Sequence, residues 1–202
     1  MTTIRVLLAD DEHLIRAALA TMLDLETDIE VVAQAASGTE AVAAAAKFRP
    51  DVAVLDLQMP GLDGVEAAER IIAETGAATV IVTSHGRPGY LKRALSVGVR
   101  GFLPKTTSAE TLAEVVRKVR AGGRHVDPEL AAEAISAGDS PLTPRESDVL
   151  ELAADGSSID EIARRASLSA GTARNYLSAA VTKLGAANRH EAAGIARRNG
   201  WI

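Results

Sequence analysis

The sequence predicts a doubly wound α/β domain built on a parallel sheet, followed by a small all-helical domain. Three observations point that way. Short β-branched runs alternate with helical stretches up to about residue 122. Acidic residues stand where several of those runs end. Beyond residue 140 no strand pattern appears, and closely spaced helix starts take its place.

Taken in order, Ile4–Ala9 reads as a strand that leads into Asp10, Asp11 and Glu12. Residues 13–25 have helical spacing, with Leu14, Ala18 and Leu25 on one line and Ile15, Leu19 and Met22 on another. Glu30–Ala35 is a second strand and Thr39–Phe48 an alanine-rich helix. Val52–Asp56 is a third strand, continuous enough in apolar residues to be buried on both faces. Met59-Pro60-Gly61 breaks it, and Asp63 is a natural N-cap for a helix over 64–75. Thr79–Thr83 is a fourth strand, Gly86–Gly89 a loop, and a helix follows to about Val97. Arg100–Leu103 is a short fifth strand. The helix starting at Ser108 carries Leu112, Val115, Val116 and Val119 at i, i+3, i+4 and i+7. By analogy with other doubly wound sheets the order is flavodoxin-like, 2-1-3-4-5.

Gly122-Gly123 closes this unit. We therefore assign residues 1–122 to the α/β domain, 123–140 to a linker with one short helix near Pro128–Ala137, and 141–202 to the helical domain. Helices are predicted over about 143–154, 158–165, 169–184 and 188–199. Thr143, Pro144 and Glu146 form a capping box with proline at its favoured position. Ala173, Leu177, Ala180 and Leu184 face inward, while Arg174, Asn175, Ser178 and Lys183 fall off that stripe. Two short helices joined by a tight turn, the second offering Arg and Asn near its start, describe a helix-turn-helix. Ala192, Ala193 and Ile195 suggest that helix 188–199 is a dimer contact.

Composition bounds the function. The chain has 202 residues, 47% of them hydrophobic, enough for two small cores. No apolar run approaches the ~20 residues of a membrane span, and the start lacks the features of a signal peptide. With no cysteine, disulfides, thiol nucleophiles and cysteine-ligated metals are excluded. A cytoplasmic protein without a membrane partner is expected. The net charge of −5 is unevenly spread. Residues 141–162 carry −5 and residues 163–202 carry +6. A basic end on an acidic protein fits either a nucleic-acid partner or a solvated basic helix face, and charge alone does not choose.

Ligands of open α/β sheets bind beyond the carboxyl ends of the strands. Asp56 stands at such an end, where an aspartate can equally well cap a turn. In the expected order Asp10 and Asp11 lie beside it, while Lys105 and Thr83 follow neighbouring strands on the same edge. Clustered carboxylates with no softer donor favour Mg²⁺. A metal, a lysine and a hydroxyl around one carboxylate can stabilise a phosphoryl group placed on it.

Residues 1–122 resemble a response-regulator receiver domain along their whole length. The resemblance rests on Asp10-Asp11, the D-x-x-M-P-x-x-D-G run at 56–64, Thr83-Ser84, and Phe102-Leu-Pro-Lys105. It implies that Asp56 is the phosphoacceptor, served by a sensor histidine kinase. It also implies that Asp11, Asp56 and the Gln58 backbone carbonyl ligate Mg²⁺, with Asp10 acting largely through water. Lys105 would pair with the phosphoryl group, and Thr83 and Phe102 would form the switch pair. Two positions depart from the common pattern: Phe102 replaces a frequent Tyr, and Thr106, not proline, follows Lys105.

Residues 141–202 resemble the LuxR-type DNA-binding domain through L-T-P-R-E, E-I-A, L-S-x-G-T and K-L-G. With the receiver, this is the pattern of a NarL/FixJ-type two-component response regulator, and the Asn-Gly-Trp-Ile ending is most similar to the DesR-like subgroup. The resemblance implies that Arg174, Asn175 and Ser178 face bases in promoter DNA. Thr172, Tyr176, Lys183 and Arg189 are the candidates for phosphate contacts. Ala173 is smaller than the β-branched residue usual there. The function implied is a transcriptional regulator, not an enzyme, that dimerises when phosphorylated. A constitutive DNA-binding protein using the receiver only to dimerise is the alternative, and the complete Asp/Thr/Lys set argues against it. A free-standing phosphohydrolase is disfavoured because Gln58, not a second acid, lies two residues after Asp56.

Overall fold

Five runs of alternating or continuous apolar residues become neighbouring strands because only a parallel sheet buries both faces of Val52–Asp56 at once. The structure, a computed structural model, describes residues 3–84, 88–136, 140–199 and 201–202. It divides into two compact units, residues 1–86 with 92–130, and residues 87–91 with 131–202.

In the first unit the strands are β1 (Ile4–Ala9), β2 (Ile29–Ala35), β3 (Val52–Asp56), β4 (Ala78–Thr83), β5 (Gly101–Pro104) and β6 (His125–Val126). The helices between them are α1 (His13–Asp24), α2 (Gly38–Phe48), α3 (Gly64–Thr75), α4 (Pro88–Ser96, of which 92–96 belong here) and α5 (Ala109–Arg120). The sheet order is β2-β1-β3-β4-β5-β6, with all pairs parallel. This is the expected flavodoxin-like order extended by one strand.

The sixth strand corrects the sequence reading, which placed residues 123–127 in a linker. Its two residues are too few to show any periodicity. It exists because Arg100 O and Phe102 O on the open edge of β5 accept hydrogen bonds from His125 N (2.8 Å) and Asp127 N (3.0 Å). α4 also starts at Pro88, inside the predicted Gly86–Gly89 loop, as suits proline in a first helical turn. Residues 86 and 87 of that loop, and 137, 138 and 139 of the predicted linker, lie outside the described residues.

Strand alternation divides the core between the two faces of the sheet. Val6, Leu8, Val52, Val54, Val80, Val82 and Leu103 pack with Leu23 of α1 and Leu112, Val116 and Val119 of α5. The other face presents Leu7, Leu55, Ile81 and Phe102, all fully buried. The turn from β3 into α3 is tight. Gly64 N donates to Leu57 O at 2.9 Å, and a Cβ on Gly64 would sit 2.1 Å from Asp56 O. Glycine is required there by close approach of backbone to backbone, at the residue that delivers Asp56.

The second unit contains α6 (Pro128–Ser136, of which 131–136 belong here), α7 (Pro144–Ala154), α8 (Ile159–Arg165), α9 (Ala170–Lys183) and α10 (Arg189–Arg198). Its core gathers Val149, Leu150, Ile162, Ala173, Leu177, Ala180 and the α10 alanines. The last group is a second correction. Ala192 and Ala193, read as part of a dimer face, are buried against the unit's own core, because α10 packs on α7 and α9.

The glycine contact yields a direct test. Gly64→Ala should destabilise the first unit by about 1–3 kcal/mol, since the clash is with backbone that cannot rotate away. Chemical denaturation of the variant beside the wild type checks this.

Candidate functional site

Parallel strands end on one edge, and here that edge collects charge. β1 delivers Asp10 and Asp11, β3 delivers Asp56, β4 ends at Thr83, and β5 leads directly into Lys105. Pairing of β1 with β3 sets Ala9 beside Leu55, which brings the aspartates after them together. One carboxylate oxygen from each of Asp10, Asp11 and Asp56 lies within 4.8 Å of the others. Asp10 and Asp56 are buried and Asp11 is exposed.

Lys105 neutralises part of this charge. Its Nζ stands 2.8 Å from Asp10 Oδ2, 3.2 Å from Asp56 Oδ2 and 3.2 Å from Glu12 Oε1, with the lysine side chain only 9% exposed. The contact with Glu12 was missed in the sequence, where its only signal was a third acid beside Asp10-Asp11. Asp10 is further fixed by Glu12 N, which donates to Oδ1 at 2.8 Å, and by Arg16, whose guanidinium donates to the Asp10 carbonyl. Lys105 N donates to Thr83 O at 2.7 Å, so the hydroxyl-bearing residue and the lysine are joined through backbone. Thr83 is buried.

Electrostatics follow from this burial. Desolvation, aided by the charges of Asp10 and Asp11, pushes the Asp56 carboxyl up to about 7 despite the lowering effect of Lys105. Burial and the charge of Asp10 likewise raise Asp11. Burial opposes the charge on Lys105, yet its hydrogen bond to Asp10 and the charges of Asp56 and Asp10 hold it above the ordinary lysine range. The pocket therefore has more negative groups than one lysine balances, and oxygen donors alone. Those are the properties of a hard-cation site.

Support comes from behind the pocket. Asp63 caps α3 in a full capping box with Glu66, and Arg93 of α4 reaches Asp63 Oδ2 at 2.7 Å. Gln58 is exposed, two residues past Asp56. Phe102 is fully buried.

The second unit holds the other candidate surface. α8 ends in a left-handed Ser167 with φ 55°. Leu168 N donates to Ala163 O at 2.8 Å and Ser167 N to Arg164 O at 3.2 Å, the paired bonds of a Schellman turn. Ser169 then caps α9, accepting from Thr172 N. The result is a helix-turn-helix. Arg174, Asn175 and Ser178 all lie exposed on α9. The remaining four candidates are less available. Thr172 Oγ1 is 2.8 Å from Ser169 Oγ within the cap, and Tyr176 packs against the core. Lys183 Nζ pairs with Glu146 Oε2 at 2.8 Å, and Arg189 donates to Ser157 O at 3.1 Å. Glu146 is buried, which alone would raise its carboxyl. Lys183 and the Thr143 cap overcome this and hold it below the usual range.

The comparisons with known proteins match this geometry. Residues 6–117 match the family model for the response regulator receiver domain, and residues 140–196 that for bacterial regulatory proteins of the luxR family. The chain is a LuxR-type response regulator. It is 42% identical over 199 residues to the transcriptional regulatory protein DesR of Bacillus subtilis (strain 168), covering 98% of this chain and 99% of that one. It is 41% identical over 200 residues to YvfU of the same organism, covering 98% and 100%. Among solved structures, the receiver of the NarL response regulator from Mycobacterium tuberculosis aligns with TM-score 0.58 and 30% identity. That alignment covers 60% of this chain and 99% of that one. This response regulator thus has the NarL/FixJ-type organisation expected from its motifs, and belongs with transcription regulators. Among the described residues, no helix is long and apolar enough to cross a membrane.

Two measurements test these assignments. Because the folded Asp56 value lies above the unfolded 3.8, its contribution to stability is fully present below that value and lost as pH rises through about 7. With metal chelated, Asp56→Asn should therefore stabilise the receiver by on the order of 1–3 kcal/mol at about pH 8 and have little effect near pH 4. Thermal melts across pH read this directly. In the second unit, Lys183→Ala should cost about 1–2 kcal/mol by leaving the buried Glu146 carboxylate without its cation, where a purely DNA-facing lysine would leave the melt unchanged.

Proposed function

We propose that this response regulator is switched by phosphorylation of Asp56 and, in that state, dimerises and binds promoter DNA through α9. The single observation that carries the proposal is the gathering of Asp10, Asp11, Asp56 and Lys105 at one strand edge in a chain that also bears an exposed helix-turn-helix.

In the chemistry we infer, a carboxylate oxygen of Asp56 attacks the phosphorus of a sensor kinase's phosphohistidine. The P–N bond breaks as the new O–P bond forms, leaving an acyl phosphate on Asp56. The cluster of Asp10, Asp11 and Asp56 carboxylates supports a bound Mg²⁺, which Asp11, Asp56 and the Gln58 backbone carbonyl would ligate. Asp10 is better suited to an outer role, because Lys105 and Glu12 N already occupy its oxygens. The ion would supply positive charge for the transferred oxygens. Lys105 contributes its own charge, its backbone N–H held by Thr83 O. Nucleophilic attack needs Asp56 ionised, and a cation beside it favours that form over the protonated one.

Thr83 and Phe102 form the switch pair in this reading. They lie on adjacent strands, where Ile81 pairs with Phe102 and Thr83 with Pro104. A hydroxyl drawn toward a new phosphoryl group changes what the buried ring packs against. Phe102 lacks a phenolic oxygen, so its part is steric. Arg174 and Asn175 are suited to bidentate contacts with guanine and adenine, and Ser178 to either base. The setting we infer is the cytoplasm, with two protomers on a two-half-site operator.

The test uses DNA fragments recovered by genome-wide mapping of bound sites. Wild type treated with acetyl phosphate and Mg²⁺ should incorporate phosphate and bind these fragments more tightly than untreated protein, while Asp56→Ala should do neither. Arg174→Ala should weaken specific binding by about 1–3 kcal/mol without affecting phosphate incorporation. Equal promoter affinity for phosphorylated wild type and Asp56→Ala would end the proposal.

A further inference from the structure

The opposite edge of the receiver sheet carries a second concentration of charge, of the other sign. A cavity of about 390 Å³ opens there, lined by Ile72 and Val119 and by Asp51, Arg100, Arg120 and Arg124. Asp51 precedes β3 and Arg100 precedes β5, so the cavity lies roughly 16 Å from Asp56, the length of a five-residue strand.

Arginines are common at this edge for a plain reason: helices α2, α3 and α5 end there, and their last carbonyls attract cations. Arg5 and Arg49 serve that purpose. Arg5 donates to Phe48 O at 2.8 Å, and Arg49 to Glu74 O at 3.2 Å. Arg120 is also occupied, with its Nε 2.8 Å from Asp51 Oδ1. Arg100 and Arg124 differ. Among the described residues neither guanidinium takes part in an ion pair or a side-chain hydrogen bond. They are also forced together, because Gly101 of β5 pairs in register with His125 of β6 and each arginine immediately precedes its partner. Two like charges side by side at the starts of adjacent strands repel, and among the described residues no ion pair or side-chain hydrogen bond relieves them.

An anion would. Asp51 does not fill this role: among the described residues its oxygens pair with Arg120 and the Arg5 backbone N–H, and with neither Arg100 nor Arg124. We infer that this cavity is a binding site for a small phosphate-bearing molecule, with Arg100 and Arg124 as its principal ligands and Arg120 beside them. Phosphate is favoured over carboxylate because guanidinium forks match its several oxygens, and two forks can share one tetrahedral group or straddle a diphosphate. Ile72 and Val119 give the cavity an apolar wall beside the charged mouth, so a body attached to the phosphate has a surface to rest on. None of these residues belongs to the acidic pocket or to α9.

The experiment uses the full chain, without Mg²⁺ so that the acidic pocket does not compete for anions. Pyrophosphate, ADP and citrate are titrated by calorimetry, and the amide signals of Gly76 and Gly98, both in the cavity wall, are followed by NMR. Saturable pyrophosphate binding with movement of those two signals is expected. Arg100→Gln together with Arg124→Gln should weaken it by on the order of a hundredfold, about tenfold per guanidinium. Asp56→Asn and Arg174→Ala should leave it unchanged. Tighter binding of ADP than pyrophosphate would identify the ligand as a nucleotide, and equal binding would identify the diphosphate group alone; either supports the site. Absence of saturable binding, insensitivity to the arginine pair, or citrate binding as tightly as pyrophosphate would overturn it. Phosphate incorporation from acetyl phosphate by the double variant, expected at the wild-type level, shows that the variant has folded.

Discussion

The ammonium of Lys105 is the interaction on which the receiver pocket depends. Two buried aspartates and an exposed one converge on a strand edge, and without a cation their mutual repulsion would be relieved only by protonation or unfolding. A single lysine, nine-tenths buried and within 3.2 Å of three carboxylates, reduces that repulsion without removing it. Burial, aided by the charges of Asp10 and Asp11, still holds the Asp56 carboxyl up at about 7. The pocket is thus held in a partly balanced state, strongly disposed to accept further positive charge. A site whose lysine balanced every acid would have little affinity for a divalent cation, and one with no lysine would not hold its aspartates buried.

The rest of the receiver can be understood as holding these groups at fixed distances. Parallel pairing in register places the ends of β1, β3, β4 and β5 on one edge. The contact between Gly64 and the Asp56 carbonyl leaves no room for the β3–α3 turn to relax outward. Asp63 then anchors α3 by its capping box and α4 through Arg93. A charge placed on Asp56 consequently acts on a short rigid turn, with α4 tied to its far end. Buried Phe102 lies on β5, two strands away from β3 in the same sheet.

Much of this was legible in the sequence, and what escaped has a common physical character. Strands and helices are written as periodicities, so five strands and the helices of both units could be read from spacing. Asp10, Asp11, Asp56, Thr83 and Lys105 could be gathered because strand ends in a parallel sheet share an edge. The two-residue β6 carries no period, and only the open edge of β5 creates it. Glu12 reaches Lys105 across 93 positions of the chain, a pairing that no local pattern records. The α10 alanines show the reverse failure. Their spacing was read correctly as a face, but small residues fit a tight helix packing within a domain as well as a contact between two copies, and here they are buried in the core.

Charge in the second unit teaches the same lesson about counting. The +6 of the last forty residues suggested an anionic partner, yet much of it is engaged within the domain. Lys183 pairs with Glu146, Arg197 with Asp155 and Arg164 with Glu161, while Arg189 donates to a loop carbonyl. Lys183 in particular ties the end of α9 to the capping box of α7, so it orients the helix that carries Arg174. Net charge therefore overstates the cation available to a phosphate backbone, and understates the importance of geometry. What favours DNA is the Schellman turn at Ser167, which joins α8 to α9, and the exposed Arg174, Asn175 and Ser178 along α9. A basic surface attracts any nucleic acid, whereas a fixed helix with a guanidinium and an amide near its start can distinguish one base pair from another.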